Sequence, residues 1–76
     1  MTPQEIQQLI EAKMTDAKVS VSGDEGKFTA EVISDQFDGL MPIKRHKLVY
    51  ACVNDEITSG ALHALTIVAK TPAEVA

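Results

Sequence analysis

Two alternating runs joined by a turn constrain the fold of this chain more than any other feature. Val19 and Val21 alternate with Ser20 and Ser22, and Phe28, Ala30 and Val32 alternate with Thr29 and Glu31. A period of two sends one set of side chains to one face of a strand and the other set to the opposite face. Between the runs, Gly23-Asp24-Glu25-Gly26 supplies the permissive backbone of a hairpin. The runs therefore predict an antiparallel strand pair with one apolar face, which helices must cover.

The helices are legible on either side. Thr2-Pro3-Gln4-Glu5 has the order of a capping box with proline at the first helical position. Ile6, Leu9, Ile10 and Met14 then recur at helical spacing, which predicts a helix from Pro3 to Met14 ended by a turn at Thr15-Asp16. Phe37-Asp38-Gly39 bends the chain out of the sheet. Pro42 starts a second helix, whose buried positions are expected to be Leu48, Val49, Cys52 and Val53. Asn54-Asp55 reads as the cap of a short third helix, with Ile57 facing inward and Gly60 ending it in a left-handed conformation. A last strand is expected from Leu62 to Ala69, and two intervening helices are long enough for a parallel crossover. Thr71-Pro72-Ala73-Glu74 repeats the capping box with only Val75 and Ala76 after it, room for barely one turn. The expected order is α-β-β-α-α-β with a terminal turn. It gives one α+β domain over residues 1–76, with a three-stranded mixed sheet and helices on one face.

Composition bounds the function. A net charge of −4 weighs against nucleic-acid binding driven by whole-chain charge. Lys44, Arg45, His46 and Lys47 nevertheless sit together, and read by themselves they are the solvated face of a helix. Cys52 is the single cysteine, which fits a reducing compartment; its apolar neighbours place it in the core. No signal peptide or membrane-length apolar run is evident, so a soluble, cytoplasmic protein is expected. Catalysis finds little footing: there is no Ser-His-Asp order, CxxC, phosphate loop or HExxH, and nothing sets a nucleophile beside His46 or His63. A non-enzyme is expected. Gly23-Asp24-Glu25-Gly26 also matches the G-x-x-G by which KH domains clamp a nucleic-acid backbone, but here it joins two strands and carries two carboxylates. His63 stands where the last strand begins, on the face shared with Leu65 and Ile67. Taken alone, it reads as a histidine that closes a strand end by donating to a backbone carbonyl.

The order of these segments carries more than any one of them. Phe37-x-Gly39, then Arg45-His46-x-Leu48-Val49-Tyr50, then a glycine before His63-Ala64-Leu65-x-Ile67, resembles the BolA family. The resemblance covers nearly the whole chain and is nearest to the short bacterial IbaG-type members. It implies a BolA-like, class II KH-like fold. It also implies an adaptor that binds a monothiol glutaredoxin and gives a histidine ligand to a shared 2Fe–2S cluster, in iron–sulfur trafficking or iron regulation. On this chain the ligand role falls on His63, with the other ligands from the glutaredoxin cysteine and its glutathione; the isolated protein would hold no cluster. Many family members carry Cys or His in the hairpin loop. Residues 23–27 here have neither, which leaves Asp24 as a weak second ligand. The resemblance makes Arg45, His46 and His63 the partner-binding residues of a monomer that forms a heterodimer with the glutaredoxin, away from any membrane. The alternative it implies is a DNA-binding regulator, with Lys44, Arg45 and Lys47 on phosphates. Three or four such charges would bind weakly and with strong salt dependence.

Overall fold

The computed structural model describes residues 1–24, 27–62 and 64–76. Helix α1 runs over Pro3–Lys13 and begins with the capping box expected of it: the Thr2 hydroxyl accepts from the Glu5 amide, and the Thr2 amide donates to the Glu5 carboxylate at 2.8 Å. That backbone hydrogen bond holds the Glu5 carboxyl below its ordinary range. Ile6 and Ile10 are fully buried and Met14 nearly so, while Leu9 is half-buried at the margin of the core. The helix stops one residue before Met14, which caps it by donating from its amide to the Ile10 carbonyl at 2.8 Å.

Strands β1 (Lys18–Asp24) and β2 (Lys27–Ile33) pair antiparallel, with Val19 opposite Val32 and Val21 opposite Ala30. Gly23 sits at φ +125°, where a Cβ would come within 2.8 Å of the Phe28 Cα; only glycine fits there. Strand β3 (Ala64–Lys70) lies parallel to β2, with Phe28 opposite Leu65 and Ala30 opposite Ile67. The order β1-β2-β3 leaves β3 as an edge. Val19, Phe28, Ala30, Val32, Leu65 and Ile67 form the buried face, whereas Ser20, Ser22, Thr29, Glu31 and Thr66 are exposed on the other. All of the apolar alternation therefore faces the helices.

The crossover from β2 to β3 is tied down at its first step. The Ser34 hydroxyl, 1% exposed with its residue, donates to the Asp16 carboxylate at 2.7 Å and accepts from the Gln36 amide at 3.0 Å. The Gln36 side chain donates to the same carboxylate at 2.7 Å. These bonds, Ser34 first and Gln36 second, pull the Asp16 carboxyl below its ordinary range. They set a 3-10 turn over Asp35–Phe37 that drives Phe37 into the core, where it is fully buried. Helix α2 (Pro42–Cys52) then packs on β3 and α1, and α3 (Asn54–Ser59) ends at Gly60 with φ +84°, the left-handed cap expected. A last turn, α4 (Pro72–Val75), carries the second complete capping box.

Several expectations need correction. Leu48 is 37% exposed, because α2 turns Val49 and Cys52 inward and leaves Leu48 on its flank. Val53 rather than Asn54 precedes the first turn of α3, with no side-chain cap, since Asn54 is already helical. Leu62 is buried but lies before β3; its amide donates to the Glu56 carbonyl at 3.0 Å, so it closes the α3 turn instead of pairing with β2. No helix among the described residues is long and apolar enough to cross a membrane.

Candidate functional site

The site is built at the outer edge of β3, and the strand's own geometry explains how. The Lys70 carbonyl accepts from the Ser34 amide at 3.0 Å, so Lys70 turns its backbone groups toward β2. Successive residues of a strand alternate in this direction, so Leu65, Ile67 and Ala69 turn theirs outward. An uncovered edge of this kind is a template for unwanted pairing. Two side chains of α2 cover it. The Tyr50 hydroxyl donates to the Leu65 carbonyl at 3.1 Å, and an Arg45 guanidinium nitrogen donates to the Ala69 carbonyl at 3.2 Å. The two ends of β3's outer side are thus closed by residues five apart on one helix.

Arg45 does more than cap that carbonyl. Its Nε donates to the Leu40 carbonyl at 2.8 Å, and its two terminal nitrogens fork onto the Glu74 carboxylate at 2.7 and 3.3 Å. The guanidinium carbon lies 6.0 Å from the centroid of the Phe37 ring. Its side chain is only 14% exposed. Arg45 therefore fastens the start of α2, the end of β3 and the terminal turn α4 to each other, which is why so short a helix forms. The reading of Arg45 as a solvated surface charge does not hold, and a role for it on phosphate or on a partner would require breaking these bonds.

Arg45, followed by the Thr71 amide, holds the Glu74 carboxyl down at about 2, against an ordinary value of 4.5. A carboxylate depressed on folding stabilises the fold above its unfolded pKa, and that contribution is lost as pH falls toward the folded value. Wild type should therefore lose stability between pH 4.5 and about 2, while Glu74→Gln should show a flatter profile across that window. Urea midpoints measured at intervals through it check this; parallel profiles would contradict it.

His63 itself lies outside the described residues. Its neighbour Ala64 opens β3 opposite Lys27, and Lys27 in turn pairs with Asp24 across the hairpin. The chain thus runs into β3 at the hairpin end of the sheet, the end where Asp24 is exposed. Among the described residues, no three His, Cys, Asp or Glu side chains come together as a metal site. Cys52 is buried, donates weakly to the Leu48 carbonyl at 3.4 Å, and has its thiol pushed up by burial. It is a core residue without ligand character. His46 is half-buried on α2, and Lys44 and Lys47 are exposed beside Leu40 and Leu48 along a shallow groove of about 380 Å³.

Helices on one face of a mixed three-stranded sheet, whose edge strand β3 opens at Ala64, define the class. The BolA-like protein family matches residues 2–74, and the chain belongs to that family. It is 40% identical over 74 residues to an uncharacterised protein of the rpoN–murA intergenic region of Acinetobacter guillouiae, covering 97% of this chain and 89% of that one. Acid stress protein IbaG of Escherichia coli is 34% identical over 97% of this chain and 88% of its own length. The structure of a BolA protein homologue from Coxiella burnetii superposes with a TM-score of 0.89 at 34% identity, over 99% of this chain and 96% of that one. Further curated relatives are longer proteins; the chain spans 15% of one and 38% of another.

The Tyr50 and Arg45 contacts escape a sequence reading because they join residues 15 to 29 positions apart. One signal pointed toward the second. A full capping box on a helix of one turn makes little sense unless something elsewhere holds that turn.

Proposed function

We propose that this protein is an adaptor that docks on a monothiol glutaredoxin and offers His63 to a 2Fe–2S cluster handled between the two. The observation that carries this reading is the place of Ala64-Leu65, the residues that follow His63 in the sequence: Ala64 opens an edge strand, so a partner can approach that end of the sheet without displacing another strand. Membership of the BolA-like family supports it.

The donor set fits a cluster held in common better than one held alone. Imidazole is a suitable ligand for one iron of such a cluster, whereas Asp24 offers a hard oxygen and Cys52 is closed off in the core. The remaining ligands would come from the glutaredoxin cysteine and its bound glutathione. Exchange of a thiolate for an imidazole raises the cluster's potential, which suits cargo that is to be passed on. For this chain, the work would be to offer one imidazole nitrogen and to release it. Partner contact would fall on the surface around His63 and on His46 of α2.

The test is visible circular dichroism of the protein mixed anaerobically with a monothiol glutaredoxin, glutathione, iron and sulfide. A spectrum differing from that of glutaredoxin alone is expected for wild type, and its loss is expected for His63→Ala with the fold intact. An unchanged spectrum in the variant would end the ligand role.

The DNA-binding alternative is weakened by Arg45. With that guanidinium engaged by Glu74 and two carbonyls, Lys44 and Lys47 are what remains of the three phosphate candidates. Two phosphate contacts imply a salt slope of only about −2, the mark of weak binding.

A further inference from the structure

We propose that two copies of this protein pair edge to edge through β1, antiparallel, with Val21 opposite Val21 of the second copy; nothing in this pairing depends on a ligand role for His63. β1 is the other edge of the sheet, opposite β3. The Ser34 amide donates to the Lys70 carbonyl, so Ser34 faces β3, and by alternation Val32, Ala30 and Phe28 face it too. The opposite set of β2, Thr29 and Glu31 among it, turns its backbone groups to β1, where Ser22 and Ser20 exchange both bonds with them. Val19, Val21 and Gly23 are left with amides and carbonyls directed away from the sheet. Among the described residues, none of these groups has a hydrogen-bond partner outside the sheet. The outer side of β3 is covered by Tyr50 and Arg45, and β1 has no such cover.

The charges of the strand argue for a second copy as its occupant. Edge strands are ordinarily guarded by proline, by charge or by a covering element. Val19-Ser20-Val21-Ser22-Gly23 has neither proline nor charge, and the two charges of β1 stand at its ends, Lys18 and Asp24. Laid antiparallel on a copy of itself about Val21, the strand sets Lys18 opposite Asp24 at both ends and Ser20 opposite Ser22 between them. Lys18 and Asp24 are exposed, and neither is in an ion pair among the described residues. In this register the outward-turned residues meet as hydrogen-bonded pairs, while Lys18 and Asp24 fall in the closer, non-hydrogen-bonded pairs. Val21, half-buried at the margin of the core, gains a valine beside it. A shift by two residues would set Lys18 opposite Ser22 and lose both charge pairs. One strand pair is a small interface, so the association is expected to be weak, with a Kd of about 0.1–1 mM.

Two measurements on the full chain test this. In amide hydrogen exchange, the Val21 amide should exchange fast in dilute protein and slow severalfold as concentration rises through that range. The amides of Ser20 and Ser22, already bonded to β2, should change little. The second measurement is sedimentation equilibrium of charge reversals at low ionic strength. Lys18→Glu alone and Asp24→Lys alone each set like charges against each other at both ends, and each should weaken self-association about tenfold. An equimolar mixture of the two variants should associate as tightly as wild type, because every charge then meets its opposite. Both positions are exposed, so each variant should keep the wild-type far-ultraviolet circular dichroism. A monomer at every concentration up to about 1 mM would overturn the proposal. So would a dimer that neither reversal weakens, or a mixture no tighter than the single variants, since each places the contact elsewhere or in another register.

Discussion

Replacing Phe37 with alanine is expected to cost about 3–5 kcal/mol, the usual range for emptying a buried aromatic site. A chain of this length has roughly 4–11 kcal/mol to lose, so the variant should stand at or near its unfolding threshold at room temperature. The site cannot easily collapse. Phe37 is fully buried and is held from its own backbone by the Ser34–Gln36 turn and from above by the Arg45 guanidinium. The turn fixes where the ring enters the core, and the sheet and α2 fix what surrounds it. Urea unfolding followed by far-ultraviolet circular dichroism should show a collapsed midpoint or a partly unfolded baseline in plain buffer. A loss below 1 kcal/mol would mean that the core closes over the gap and that Phe37 is not central to it.

Arg45→Ala should be nearly as damaging, by about 2–4 kcal/mol, for a different reason. Its ion pair with Glu74 is half in water, since the Glu74 side chain is 45% exposed, and such pairs contribute little by themselves. The larger loss is at the Leu40 and Ala69 carbonyls, which accept charge-assisted bonds from a guanidinium that is 14% exposed. The melting temperature should fall by about 4–8 °C for each kcal/mol lost. Arg45→Lys should recover only part of this, because an ammonium cannot fork onto Glu74 while also reaching two carbonyls. The terminal turn over Pro72–Val75 should lose its helical signals in both variants, a result that resonance assignments of those residues would check. Full retention of stability in Arg45→Ala would show that the clasp is decorative.

These two residues mark the boundary of what the sequence discloses. The hairpin, both capping boxes and the left-handed Gly60 are local, since each is fixed by residues within four positions, and they are legible as such. Phe37 is visible as a bend residue, but its depth in the core depends on Asp16, which reaches across to Ser34 and Gln36 from 18 and 20 positions away. Leu48 was misread because Leu48-Val49-Tyr50-Ala51-Cys52-Val53 is an uncharged run, so spacing alone does not say which flank is buried. The run Lys44-Arg45-His46-Lys47 looks like one solvated patch, yet it splits by direction: the lysines face water and Arg45 turns into the clasp. Nothing local announces that split, because its cause is a carboxylate 29 residues away. The family motif made His63 a candidate, and that residue lies outside the described residues.

The most direct test of a shared cluster is native mass spectrometry of the anaerobic mixture with glutaredoxin and glutathione. The expected species contains one copy of each protein, two irons, two sulfides and one glutathione, and it should be absent with His63→Ala. Iron found solely in a glutaredoxin homodimer, with this protein free or bound without iron, would contradict the central claim.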